Sequence, residues 1–269
     1  MNETRRLTDE LLAVGVAELS QRDPHLAAVV ARHGAPPLWD RPPGFETLVQ
    51  IILEQQVSLA SGRAAYARLE TVAGGVTPER IARLDDTALQ SAGLTRQKAS
   101  YVRGLAEVIV GGEFDPEGLA NLDDDSARAA LIKLRGVGAW TADIYLLMAL
   151  GRSDIWPAGD LALVAAMREV KRMRSLPDAD RIGRITRAWR PWRAVAARVL
   201  WHHYLSTPRR RLRVSGAKPS SRRTAAPSRR PAPKGPRSAI RSRKPSRASA
   251  AAASSKRGAR RPRGGRTRG

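Results

Sequence analysis

Apolar residues recur at helical spacing through roughly the first two hundred positions, as Tyr101, Leu105, Val108 and Ile109 do. The pattern predicts helices over residues 8–20, 23–33, 45–55, 58–73, 86–92, 95–111, 124–134, 139–150, 160–171, 178–189 and 192–205. Thr8, Thr95, Ser126 and Asp160 stand where N-caps belong. Gly34, Gly74-Gly75, Gly93, Gly111-Gly112 and Gly151 follow helical runs, where C-terminal stops belong. No alternating run of strand length interrupts them. Residues 1–205 therefore read as one all-α body, long enough to form two lobes with a central cleft.

Charge changes the picture at one end only. The formal charge is +23 over 269 residues, yet residues 206–269 hold 22 Lys and Arg and no acid, leaving 26 basic and 25 acidic residues in 1–205. That tail is rich in Pro, Ser, Ala and Arg. Too little of it is apolar to offset the entropy of ordering, so 206–269 is expected to be disordered. A polycation of this kind binds polyanions without reading sequence, DNA foremost, with an RNA-binding or solubility role as alternatives.

The chain has no cysteine, which excludes disulfides, cysteine zinc sites and Cys-held iron–sulfur clusters. No apolar run approaches the ~18 residues of a membrane span, and Met1–Glu10 is too polar for a signal peptide. A cytoplasmic, nucleoid-associated monomer is expected.

The most informative stretch is Leu134-Arg135-Gly136-Val137-Gly138-Ala139-Trp140-Thr141-Ala142. Two glycines around one apolar residue permit a tight turn between helices, within a hairpin spanning about 131–146. Val137 would anchor the turn. The amides of Gly138, Ala139 and their neighbours would face outward at the next helix's N-terminus, where geometry and dipole favour an anion. A bare Gly-x-Gly also serves as an ordinary helix corner, but Ala142, four residues past Gly138, favours the hairpin. Twenty-two residues after Gly138 comes Asp160, within Pro157-Ala158-Gly159-Asp160-Leu161. A phosphate grip followed by one acid suggests an enzyme acting on DNA. Asp160 also suits a simple N-cap, and both jobs are compatible.

With Ile51-Ile52-Leu53-Glu54-Gln55-Gln56-Val57-Ser58, Gly93-Leu94-Thr95-Arg96-Gln97-Lys98-Ala99 and Trp189-Arg190-Pro191-Trp192-Arg193, these pieces make residues 40–205 resemble the helix-hairpin-helix DNA glycosylases. The chain is most similar to the DNA-3-methyladenine glycosylase II (AlkA-type) group. The resemblance implies that Asp160 is the catalytic carboxylate, stabilising positive charge on the deoxyribose or orienting water as the N-glycosidic bond breaks. Gly136, Val137, Gly138 and Ala139 would hold a phosphate. Trp140, Trp201, Ile144 and Leu161 would line the base pocket, where aromatic faces attract cationic alkylated purines. For Trp201 the residues add that its helix carries two apolar stripes, Trp192/Val195/Val199/His203 and Ala194/Ala197/Trp201/Leu205, and one could face a cleft. Gln56 would fill the gap left by the extruded base, although it also suits a polar helix end. The carbonyls of Ile132, Leu134 and Val137 would hold a monovalent cation, and no other cofactor is implied.

Relatives that also nick the strand carry a lysine two residues after the second glycine. Trp140 stands there instead, and Lys133 precedes the hairpin, so a monofunctional glycosylase without lyase activity is expected. The lack of cysteine also separates the chain from the cluster-bearing endonuclease III and adenine-glycosylase branches. Its best-known relative has an N-terminal β-rich domain for which residues 1–40 are too short. Two departures concern the substrate: Ile144 and Leu161 replace aromatics, for which Tyr145 and Trp156 are possible substitutes. Glu54 replaces a small residue. The expected substrate is duplex DNA bearing alkylated purines of the 3-methyladenine and 7-methylguanine type. The alternatives are a glycosylase of the same fold for oxidised or deaminated bases, and a non-catalytic DNA-binding or nucleoid protein.

Overall fold

The computed structural model describes residues 6–207; the expected disorder of the tail falls outside them from residue 208 onward. Among the described residues there are twelve α-helices and no strand: α1 (Asp9–Arg22), α2 (Pro24–His33), α3 (Phe45–Glu54), α4 (Leu59–Ala73), α5 (Pro78–Ala82), α6 (Asp86–Ser91), α7 (Arg96–Val110), α8 (Asp124–Ile132), α9 (Ala139–Met148), α10 (Leu161–Val170), α11 (Ala179–Arg187) and α12 (Arg193–Ser206). A 3-10 turn covers Gly118–Asn121. No helix is long and apolar enough to cross a membrane.

The expected all-α architecture is present. Helix α5 and the 3-10 turn were not foreseen, because five and four residues are too few for a helical period to show. Ser126 is not an N-cap. Helix α8 starts two residues before it, and the Asp123 carboxylate caps that start by accepting from the Ser126 amide at 2.9 Å. Thr8, Thr95 and Asp160 cap their helices as expected.

Helices α3 to α7 pack among themselves, and α1, α2, α10 and α12 form a second group. The α8–α9 pair connects them, with α9 resting on α3. Two buried charges hold this arrangement. Arg198 of α12 is 1% exposed and donates to the carbonyls of Leu38 at 2.6 Å, Leu147 at 2.9 Å and Ala194 at 3.2 Å. One guanidinium thus ties the α2–α3 connection, α9 and α12 together, and its several donors make that possible. Burial pulls its pKa down to about 10, partly opposed by Asp40.

The other charge is Asp23, 5% exposed between α1 and α2. It accepts from the amides of His25 and Leu26, from the Trp189 indole at 2.8 Å and from the Lys171 ammonium at 2.5 Å. Lys171 follows α10 and Trp189 follows α11, so one carboxylate fastens both flanks of α11. Burial pushes the Asp23 carboxyl up, but the Lys171, Trp189 and Leu26 donors outweigh it and leave the group below the ordinary range. A depressed carboxyl stabilises the fold above the unfolded-chain value and loses that contribution as pH falls through the folded value. Asp23→Ala strands the Lys171 charge and should cost about 3 kcal/mol or more, measured by urea unfolding at pH 7. Near pH 3 the difference between the two proteins should narrow.

Candidate active site

Asp160 lies where the N-terminal ends of α9 and α10 meet the side of α12. The turn before it is closed by a hydrogen bond from the Asp160 amide to the Pro157 carbonyl at 3.4 Å, with Gly159 at φ +83°. The Asp160 side chain then caps α10, Oδ1 accepting from the Leu163 amide at 2.8 Å. Capping fixes the side chain, and two indoles complete its surroundings. Trp140, in the first turn of α9, donates Nε1–H to Oδ2 at 3.1 Å. Trp201 of α12 donates Nε1–H to Oδ1 at 3.3 Å. The carboxylate is half-buried, and among the described residues no cation pairs with it. It is a negative charge held by three neutral donors.

The hairpin lies two residues from this carboxylate, through Trp140. Val137 is 4% exposed and anchors the turn, and its amide closes the turn onto the Leu134 carbonyl at 3.1 Å. Val137 therefore contributes an anchor, and its amide is not available to a phosphate as the resemblance implied. The amides of Gly138 and Ala139 fit that expectation. Both residues are exposed, and no side chain caps the start of α9, so its first N–H groups stay open to an anion.

The two glycines do different work. Gly136 has φ +86°, and a Cβ there would sit 2.3 Å from Cγ of Tyr101 on α7. Its absent side chain is a requirement of the fold. Gly138 has an ordinary φ of −88°, and nothing lies within 4 Å of where its Cβ would be. Packing does not demand glycine there, and the space is left for something outside the chain.

The hairpin is braced from α3. Gln55 donates Nε2–H to the Gly136 carbonyl and to the Thr141 hydroxyl, both at 2.9 Å. Lys98 in turn caps the end of α3, its ammonium reaching the carbonyls of Leu53 at 2.6 Å and Gln55 at 3.0 Å. Burial lowers the Lys98 pKa. Across the hairpin, Arg128 of α8 pairs with Asp143 of α9 at 2.6 Å. Asp143 is 1% exposed, and burial pushes it up to about 6 against the opposing pull of Arg128. Neither Gln55 nor Lys98 stood out in the sequence as a brace. Both lie inside the quoted motifs, which was the only signal.

Residues 49–191 match the family model described as HhH-GPD superfamily base excision DNA repair protein. The chain belongs to this superfamily. A DNA-3-methyladenine glycosylase of Bacillus subtilis (strain 168) is 30% identical over 196 residues, covering 68% of this chain and 65% of that relative. The chain thus spans just under two thirds of that relative's length. Among solved structures, a DNA-3-methyladenine glycosidase of Bacillus halodurans superposes with TM-score 0.62 at 28% identity, covering 75% of this chain and 93% of the other. A 3-methyladenine DNA glycosylase of fission yeast in complex with abasic DNA also gives TM-score 0.62, at 22% identity, over 71% and 94%; at that identity it speaks for the fold.

Within this superfamily fold, the other expected site residues divide. Trp140 and Trp201 meet at Asp160 and turn their N–H edges to it, so they orient the carboxylate. Ile144 is 4% exposed and packed into the core. Leu161, by contrast, is 83% exposed in the first turn of α10; it stands beside Asp160 without being enclosed in a pocket wall. The possible aromatic substitutes are occupied elsewhere. Tyr145 is fully buried, its hydroxyl accepting from the Gly44 amide at 2.9 Å, and Trp156 packs at a tilt against Trp189 with ring centres 5.7 Å apart. Gln56 is exposed with φ +57°, in a turn whose neighbours Val57 and Leu59 are 47% and 52% exposed. Glu54 has acquired a partner, Arg41, at 2.9 Å, and it fills the space over Gly62, whose Cβ would come within 2.7 Å of its Cγ.

The glycine contrast gives a paired prediction. Gly136→Ala combines positive φ with a clash and should cost about 3 kcal/mol or more in urea unfolding. Gly138→Val should leave the unfolding midpoint nearly unchanged while weakening binding to an abasic-site duplex at least about 10-fold, the equivalent of one lost charge-assisted contact. Equal effects of the two on stability would refute the distinction.

Proposed function

We propose that the chain is a monofunctional DNA glycosylase that hydrolyses the N-glycosidic bond of alkylated purines in duplex DNA, of the 3-methyladenine and 7-methylguanine type. The observation that carries this reading is the convergence of the Trp140 and Trp201 indole N–H groups on the Asp160 carboxylate, two residues from a row of open amides. The named activity of the Bacillus subtilis relative supports it.

A base inside a duplex is out of reach until it is swung from the stack. In this reading the Gly138 and Ala139 amides grip a backbone phosphate, which positions the strand without reading its bases. The Gln56 turn, with Val57 and Leu59 exposed beside it, occupies the gap. The extruded base meets the indoles, whose faces favour a cationic alkylated purine by about 0.5–2 kcal/mol each. Bond breaking then builds positive charge on the sugar, next to a carboxylate already oriented by its three donors. Preorganised charge of this kind acts without reorganisation at the moment of reaction. The same oxygens can direct the attacking water.

Among the described residues, no lysine is paired with the carboxylate. Lys98 is engaged by two carbonyls, and Lys133 is exposed at the far end of the hairpin, before its turn. This supports hydrolysis without a Schiff base. The hairpin also suits a monovalent cation. Among the described residues, no backbone amide outside the helices takes the Ile132 or Val137 carbonyl, while Leu134 uses one lone pair within the turn. Hard cations take oxygen ligands of this kind, and an ion there would add positive charge near the gripped phosphate. The basic tail would concentrate the enzyme on DNA, consistent with a cytoplasmic, nucleoid-associated monomer.

The deciding experiment measures base release from duplexes carrying 3-methyladenine, 7-methylguanine, hypoxanthine or 8-oxoguanine, with wild type and Asp160→Asn side by side. Wild type should release the methylated purines preferentially and leave the abasic strand uncut. Asp160→Asn keeps an acceptor for the Leu163 amide, so the fold survives, and release should drop by about 10³-fold or more with duplex affinity retained. Preferential release of 8-oxoguanine or hypoxanthine would reassign the substrate. An unaffected Asn variant would remove Asp160 from the chemistry.

A further inference from the structure

The near-neutral body conceals a strong asymmetry. Residues 168–193 contain nine Lys and Arg against three Asp and Glu, whereas the rest of 1–205 is acid-rich, with 17 basic and 22 acidic residues. Helix α11 concentrates this charge. Ile182 and Ile185 are half-buried and Thr186 is buried, while Arg181, Arg184 and Arg187, three residues apart, are exposed. Positions three apart share one helix face, so the outer side of α11 is a ridge of guanidinium groups. Arg172 and Arg174, exposed in the approach to α11, extend it.

Two further observations separate this ridge from an ordinary solvated surface. Among the described residues, none of these five arginines is in an ion pair; Arg32, Arg63, Arg80, Arg83, Arg96 and Arg135 share that state, but they are spread over several elements, whereas these five fall within sixteen residues around one helix. Of the two acids beside Arg181, Asp178 spends a carboxylate oxygen capping α11 through the Arg181 amide at 2.8 Å, and the exposed Asp180 is in no ion pair among the described residues. The ridge is also held at both flanks by the buried Asp23, through Lys171 and Trp189. A fixed row of unpaired like charges repels itself and gains most from meeting a polyanion.

We infer that the outer face of α11, with Arg172 and Arg174, is a second phosphate-contacting surface, which takes the duplex backbone at a distance from the extruded nucleotide. The inference rests on the duplex-binding part of the proposed function. Helix α10, capped by Asp160, runs ten residues to Val170, about 15 Å at 1.5 Å per residue, and Arg172 and Arg174 follow directly. That separation equals four or five base-pair steps of about 3.4 Å. A duplex engaged at Asp160 therefore carries phosphates at the spacing of Arg172 and Arg174, from which the chain continues into α11. Guanidinium groups suit phosphate oxygens through paired donors, and the contact would fix the duplex without reading sequence.

The test uses the full chain and an undamaged 30-base-pair duplex, with affinity followed by fluorescence anisotropy over a salt series. Wild type is compared with the triple variant Arg181→Gln, Arg184→Gln, Arg187→Gln and with the corresponding triple Lys variant. Both retain residues 206–269, so the tail contributes equally to every protein. Each lost phosphate contact removes about 0.9 from the log–log salt slope, so the Gln triple should be shallower by about 2 to 3 and the Lys triple should recover most of that difference. A slope unchanged in the Gln triple overturns the proposal. So does a Gln triple that loses binding to poly-glutamate while its duplex slope is unaltered, which would assign the ridge to an acidic protein. Loss of base release by wild type would sink the glycosylase reading and leave this measurement, made on undamaged DNA, standing.

Discussion

The contact between the Trp140 indole and the Asp160 carboxylate is the one on which the site depends. It joins a helix that begins with open amides to a helix that begins with a charge. Because Trp140 lies only two residues past Gly138, wherever the amides fix a phosphate they also fix the carboxylate relative to it. Trp201 adds a second donor from α12, so the position of Asp160 is set from three helices at once. Three hydrogen bonds on one carboxylate leave little rotational freedom, which matters more for catalysis than their summed strength.

That local order is maintained from both sides of the molecule. On one side Tyr101 presses against Gly136, and Gln55 holds the Gly136 carbonyl while Lys98 holds the end of α3. On the other, Arg198 secures α12 to α9 and to the segment before α3. The hairpin is consequently gripped by Gln55 at the end of α3, by Tyr101 of α7 and by Arg198 of α12, none of which touches the proposed substrate. The cost is several buried charges, each satisfied by carbonyls or by a single partner, and removing one partner leaves the other exposed to the full desolvation penalty.

Much of this was legible in the chain. Periodicity found every helix of nine residues or more, since those have enough turns to repeat an apolar face. It missed α5, which is too short, and although it started α8 at residue 124 it gave the cap to Ser126, because Asp123, Asp124, Asp125 and Ser126 are all acceptable caps. Asp160 and the hairpin glycines could be read from spacing, as their roles follow from backbone geometry. The functions of Gln55, Lys98, Tyr101 and Asp23 could not, because each acts on a residue far away in sequence. Trp140 and Trp201 were legible as aromatic residues near the site, but the direction of their N–H groups is a property of the packing. Leu161 shows the opposite failure: its neighbour in the sequence determines the site, while its own side chain points away from any enclosure.

The identity of residue 140 decides what stands against the Asp160 carboxylate. A lysine there, as the strand-nicking relatives have, would replace a neutral donor with an ammonium and pair it directly with Asp160. The carboxylate would then be neutralised by the very group meant to attack the sugar. Trp140 holds the Asp160 side chain without adding a cation beside it, so exchanging this one residue would change the local charge of the pair as well as its geometry.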